Sequence, residues 1–249
     1  SRYDRNKIVG RPVLYVVIDV FSRLIVGIYV GFEGPSWVGA MMALANTAAD
    51  KVRYCRQFGL EIATADWPCR ALPSILLGDK GELAGEKVET LIQTLHVAVE
   101  NAASYRADWK GIVEQRFRLL QAEFKPYLPG YIDTDFQIRG GKDYRLDGTL
   151  DIDQFTRAII LCVLHHNNAH YYRKFQREAD MVADGVKAIP VEMWEWGIAR
   201  RSGRLHTFPE ELVKLSLLPS AEAVVTASGI RFYGCYYSCR KALEEHWFE

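Results

Sequence analysis

The chain has 249 residues, 49% of them hydrophobic and 25% charged, and its 31 Lys and Arg are balanced by 31 Asp and Glu. This is ordinary globular composition, which excludes a disordered chain, a collagen-like repeat and a coiled coil. Net neutrality argues against a nucleic-acid binder that is basic throughout, although the distribution of charge decides that question more than its sum.

Residues 1–11 are polar and basic, start without Met and carry no apolar signal region, so the chain is expected to be part of a longer polypeptide. V-L-Y-V-V-I-D-V (13–20) is rich in β-branched and aromatic residues and predicts a buried strand. L-I-V-G-I-Y-V (24–30) predicts a second, and the short link Phe21-Ser22-Arg23 makes the two an antiparallel hairpin. Ser36 is placed to cap a helix that runs from Trp37 through Cys55. P-S-I-L-L-G-D (73–79) reads as a short buried strand, 85–96 as a helix and V-A-V-E (97–100) as another strand.

A helix is predicted from about Trp109 to Lys125, stopped by Pro126 and the turn L-P-G-Y. The polar stretch 132–148 reads as a loop. Leu150 to His166 forms a long apolar helix capped by Asp151 or Asp153, and Pro190 opens a further one. After Gly203 the pattern changes to short strand-like pieces, 224–226 and 230–237, with a turn at Ser228-Gly229. A domain change is expected near 203–210. Strands alternating with helices argue for an α/β layer with a mixed sheet. The longest strictly apolar run, 158–164, is far too short to span a bilayer.

Five scattered cysteines do not make a disulfide framework. Cys235 and Cys239 lie close together but lack the second ligand pair of structural zinc, so the thiols read as reduced cysteines of a cytosolic protein.

Two carboxylates stand out. Asp79 closes a strand, where such groups commonly face a ligand crevice; Gly-Asp-Lys-Gly is equally a good solvated turn. Glu114 lies on the predicted helix 109–125, on a polar face with Lys110, Arg118, Gln121 and Lys125. The apolar stripe Val113, Phe117, Leu120 and Phe124 is the core face. The polar face reads either as i,i+4 ion pairs or as a metal-binding carboxylate flanked by groups that hold phosphate.

The segment D-W-K-G-I-V-E-Q-R-F-R-L-L-Q (108–121), followed by L-P-G-Y, resembles the core of DDE transposases and retroviral-type integrases, and most of all the TnsB-type transposases of the Mu-like branch. V-V-I-D-V-F-S-R-L-I-V-G (16–27) resembles the family's second and third strands, and L-L-G-D-K-G (76–81) its second catalytic position. I-R-F-Y-G-C-Y-Y (230–237) resembles the start of the small β-barrel that follows the core. The resemblance implies a ribonuclease-H-like mixed sheet flanked by helices over 1–202, with a linker and the beginning of the barrel over 203–249.

It also implies a two-metal phosphoryl transferase that frees transposon 3′ ends and joins them to target DNA. Asp79 and Glu114 would be catalytic ligands of two Mg²⁺ ions, for which Mn²⁺ can substitute. The implied partners are transposon-end and target DNA, further copies of the chain on paired ends, and a separate ATPase regulator with other transposition proteins. No membrane is involved, and the setting is the bacterial cytoplasm and nucleoid. No P-loop motif occurs in the chain itself.

Two departures qualify the match. The fold places three strands before its first helix and this sequence shows two. The first strand and its catalytic Asp are therefore expected upstream of Ser1, and Asp19 is expected to have a structural or supporting role. The C-terminal segment is too short to close a barrel.

The basic residues Lys110, Arg118, Lys125, Arg173, Lys174, Arg200, Arg201 and Arg204 are candidate DNA contacts. His165, His166 and His170 with Asn167 and Asn168 read as a polar helix end near DNA or solvent rather than a metal cluster, and Trp194 and Trp196 as packing residues. Two alternatives keep the fold: a nuclease that hydrolyses without joining, and a non-catalytic assembly module that binds DNA or protein.

Overall fold

The computed structural model describes residues 10–33, 36–78, 93–101, 150–201, 205–217 and 221–248. It is a mixed α/β structure of small sheets and helices, with no closed barrel among the described residues. Two compact units divide the chain, residues 1–217 and 218–249.

In the first unit, β1 (Val13–Ile18) and β2 (Ile25–Gly31) form the expected antiparallel hairpin, with an irregularity between Val17 and Ile18. β2 is buried along most of its length, whereas β1 is half-buried throughout. The difference comes from packing: Ile25 and Ile28 join Cys55, Leu60, Trp67, Ile159, Ile160 and Val163 in one cluster, while Leu24 and Val26 join Cys69 and Trp194 in another. Each such aliphatic side chain, fully buried, contributes about 1.5–3 kcal/mol.

The expected helix over 37–55 is two helices, α1 (Trp37–Ala48) and α2 (Lys51–Gln57). Ala49 is extended, and the carboxylate of Asp50 accepts from Arg53 N–H at 3.0 Å, so Asp50 starts a new helix where the apolar pattern alone ran on. Ser36 caps α1 as expected, accepting from Gly39 N–H. α1 lies so close to β2 that a Cβ on Gly27 would stand 2.5 Å from the Ala43 carbonyl oxygen.

β3 (Leu72–Pro73) pairs antiparallel with β6 (Leu205–His206). β4 (Ile75–Gly78) pairs parallel with β5 (Ala98–Asn101), from Ile75 opposite Ala98 to Gly78 opposite Asn101. The long helix α3 (Ile152–Ala169) starts at Asp151, which with Gln154 forms a reciprocal capping box. α4 (Ala179–Ala183), α5 (Pro190–Arg200) and α6 (Glu210–Leu217) follow. α6 belongs to the first unit: its Val213 and Leu217 pack with Met41, Leu44, Leu72, Leu95 and Val97.

The second unit holds an antiparallel meander of β7 (Val224–Thr226), β8 (Gly229–Phe232) and β9 (Cys235–Tyr237), then the short helix α7 (Arg240–Glu244). The strand-like piece 230–237 is therefore two strands, turned at Tyr233 and Gly234, both at positive φ. No described helix is long and apolar enough to cross a membrane.

Candidate functional site

Asp79, Glu114, Lys110, Arg118, Lys125 and Arg204 lie outside the described residues. The structure describes what leads up to the first of them: β4 ends at Gly78, one residue before Asp79 in sequence, in parallel register with β5.

Asp19 holds the hairpin turn through one carboxylate oxygen. Its Oδ2 accepts from Ser22 N–H at 2.7 Å and from Ser22 Oγ–H at 2.6 Å. Its backbone closes the same turn, Asp19 N–H to Leu24 O and Arg23 N–H to Asp19 O, both 2.9 Å. Ser22 is fully buried, and Arg23 takes a positive φ of 66°. The carboxylate thus satisfies two buried donors, the structural role expected of it. Arg23 packs over Phe175, and burial lowers its pKa from the ordinary arginine value.

The turn is held from two sides. On one, His166 is 2% exposed and its Nε2–H donates to the Arg23 carbonyl at 3.2 Å. His166 also stacks on His170 at 5.3 Å, and His170 meets the edge of Tyr172 at 4.7 Å. Asn167 is fully buried; its Oδ1 accepts from Ile25 N–H at 2.9 Å and its Nδ2 donates to the Ile25 carbonyl at 3.0 Å. Trp67 Nε1–H donates to the same carbonyl at 2.7 Å, and Asn46 Oδ1 accepts from Ile28 N–H at 3.1 Å. Side-chain amides and an indole therefore occupy backbone groups of β2 that a neighbouring strand would otherwise take. This corrects the solvent-facing reading of the α3 end: His165 is exposed, but His166 and Asn167 are built into the core.

On the other side, Phe21 stacks on Trp196 at 6.1 Å and lies against Gly197 of α5. Arg201 lies over both rings, at 4.5 and 5.8 Å. Trp194, 7% exposed, packs with Leu24, Val26 and Cys69, so both tryptophans are packing residues as expected.

The described basic candidates separate into two groups. Arg200 pairs with Asp184 at 2.8 Å and Arg201 with Glu178. Trp196 Nε1–H binds the same Asp184 carboxylate at 2.7 Å. Both acids lie upstream in sequence and reach the arginines through the packing of α4 against α5. Arg173 and Lys174, between α3 and α4, are exposed and make no ion pair or hydrogen bond among the described residues. A cation already on a carboxylate gains less from a phosphate, because the exchange leaves the acid alone. Arg173 and Lys174 are therefore the described candidates best placed for a polyanion.

Sequence reasoning missed Lys51. The residue is 4% exposed, and its three ammonium N–H groups are shared among the carbonyls of Asn46, Thr47, Ala49 and Cys69, above the Trp67 ring at 5.3 Å. It satisfies the orphan carbonyls that end α1, and burial lowers its pKa to about 8. The sequence predicts one helix through Asp50-Lys51-Val52-Arg53, and nothing in that pattern marks a buried lysine. No three His, Cys, Asp or Glu side chains among the described residues could hold a metal ion together.

Comparison with known proteins finds a matching family model and two relatives that are transposition proteins. It belongs to the TnsB C-terminal domain family, whose model matches residues 1–130. It is 44% identical to the Tn7 transposition protein TnsB of Escherichia coli, an alignment covering 100% of this chain and 36% of that protein. It is 21% identical to the transposase for transposon Tn552 of Staphylococcus aureus, over 94% of this chain and 42% of that protein. The chain thus spans well under half the length of these relatives.

Proposed function

We propose that the chain is the catalytic core of a DDE-type DNA transposase, a ribonuclease-H-like sheet over 1–202 followed by a linker and the beginning of a small barrel over 203–249. The reading rests above all on family membership together with the position of Asp79, next in sequence after a parallel strand. It assigns the chain to cleavage of transposon 3′ ends and their joining to target DNA.

Asp79 and Glu114 are the residues that would hold the metal. Their carboxylate oxygens are the hard donors that Mg²⁺ prefers, whereas Asp19, the acidic side chain of the hairpin, is already engaged by Ser22. A bound pair of Mg²⁺ ions supplies activation of the attacking oxygen and stabilisation of the leaving one. The chain's own contribution is placement. Asp79 and Glu114 present negative oxygens, Lys110, Arg118 and Lys125 share the predicted helix face of Glu114, and Arg173 and Lys174 hold the DNA backbone. Oligomerisation on paired ends and an ATPase regulator belong to the same reading.

The test is strand joining on transposon-end DNA with Mg²⁺, in the polypeptide that carries this chain. Glu114→Gln and Asp79→Asn abolish joining and leave DNA binding largely intact. Joining at the wild-type rate by either variant overturns the assignment, and release of nicked ends without joined product favours a nuclease.

A further inference from the structure

We infer that His206 is a positioning residue for the metal site, acting by setting the register of β4 and with it the placement of Asp79. The inference rests on the reading of Asp79 as a metal ligand and adds to it a residue from the segment expected to link the two domains.

Ser74 is the point where one strand pairing gives way to another. Before it, β3 pairs antiparallel with β6, Leu72 opposite His206 and Pro73 opposite Leu205. After it, β4 pairs parallel with β5, starting with Ile75 opposite Ala98. Pro73 has no N–H to donate, so the two-residue β3 makes a weak ladder by itself. Two contacts hold the junction. The Ser74 carbonyl accepts from Ala98 N–H at 2.8 Å, and a hydrogen bond of 3.3 Å joins Ser74 Oγ and His206 Nε2. His206 therefore grips the junction twice, through its pairing with Leu72 and through its ring, from 132 positions beyond Ser74.

The register set at Ser74 carries to the end of β4. Ile75 to Gly78 lie opposite Ala98 to Asn101, and Asp79 is next in sequence after Gly78. A parallel pair is less stable per residue than an antiparallel one, so a pair this short depends on what holds its ends. Side chains alternate along a strand, and a slip of one residue moves every later side chain to the opposite face. Mg²⁺ demands near-ideal octahedral geometry, so a register error before Asp79 weakens metal binding before it unfolds the chain.

The same segment has an anchor of another kind. Glu210, at the start of α6, accepts from Asp50 N–H at 3.3 Å and pairs with Lys214 at 2.6 Å. These bonds tie α6 to the junction of α1 and α2 and involve neither β3 nor β4, which makes Glu210 the structural control.

The experiment is calorimetric titration of Mn²⁺ into the carrying polypeptide bound to transposon-end DNA with a dideoxy 3′ terminus, which cannot be joined. Strand joining on reactive ends over a range of Mg²⁺, and a thermal melt of each variant, accompany it. His206→Ala and Ser74→Ala each raise the Mn²⁺ dissociation constant and the Mg²⁺ requirement about fivefold, the worth of one net hydrogen bond. The double variant is no weaker than either single one, because both remove the same contact. His206→Gln, which can still bond Ser74 Oγ, binds metal as wild type. Glu210→Gln lowers the melting temperature and leaves the metal requirement unchanged. The inference is overturned if the alanine variants bind metal as wild type, if His206→Gln is as weak as His206→Ala, or if Glu210→Gln shifts metal binding equally. Asp79→Asn, run alongside, separates this inference from the assignment beneath it. Normal metal binding by Asp79→Asn removes Asp79 from the site and the inference with it; lost binding there with normal binding in His206→Ala overturns the inference alone.

Discussion

Asn167→Ala is the substitution whose cost follows most directly from the geometry. Asn167 is fully buried and bonds both the N–H and the carbonyl of Ile25. Truncation leaves the carbonyl with Trp67 but strips the N–H of its acceptor, Asn167 Oδ1, inside the core. An orphaned buried donor costs about 1–3 kcal/mol, and a residual cavity adds to it, so a loss of about 2–4 kcal/mol is expected. For a unit of this size that lowers the melting temperature by roughly 5–12 °C. Urea unfolding gives the free energy, and the midpoint should fall with little change in slope.

Asn167→Asp supplies a second reading of the same contact. It keeps an acceptor for Ile25 N–H, but in a buried site whose desolvation raises the carboxyl pKa. A raised folded pKa means stability is fully present below the unfolded value near ~4 and is lost as pH rises. This variant should therefore weaken, relative to wild type, from about pH 4 to pH 7. A cost of Asn167→Ala below ~0.5 kcal/mol, or an Asn167→Asp stability that ignores pH, would refute the bidentate role.

Lys51 has a folded pKa of about 8 against an ordinary 10.5, lowered chiefly by burial. Between these values the unfolded chain binds more protons, so the Lys51 contribution to unfolding free energy rises with pH from about 8 to 10.5. The difference between wild type and Lys51→Met, followed by denaturant melts over that window, should show the rise; a flat difference argues against it. Asp19→Asn retains strand joining, since its carboxylate caps a turn; a loss as deep as that of Glu114→Gln would make it a metal ligand. Alanine at Arg173 and Lys174 together should reduce the slope of log affinity against log salt by about 1.8. Alanine at Arg200 and Arg201 should change it by less, and the reverse order would overturn the separation of the two groups.

Much of the architecture was legible in the sequence, because its signals are local. The β-branched runs 13–20 and 24–30 with three residues between them specify a hairpin, and the observed strands fall within a residue or two of those runs. The caps Ser36 and Asp151 and the N-terminal Pro190 mark helix starts through neighbouring backbone groups. Asp19 was assigned a structural role by counting strands, and its two bonds to Ser22 agree. The acidic pair Asp79 and Glu114 is proposed from family resemblance, and both residues lie outside the described ones. The break at Ala49 was missed because the apolar pattern continues across it, while the local bond from Asp50 decides the outcome.

The sequence by itself determined the local elements and the family, since periodicity, caps and motifs act over a few residues. The tertiary structure decided which polar groups meet. Asn167 closes on Ile25 from 142 positions away, Arg200 and Arg201 find the acids that flank α4, Asp184 and Glu178, and the Lys51 ammonium is drawn over the Trp67 ring. Such contacts depend on which surfaces pack together, and a buried donor takes whatever acceptor the packing brings. For the same reason Arg173 and Lys174 could be told from Arg200 and Arg201 only once their surroundings were in view.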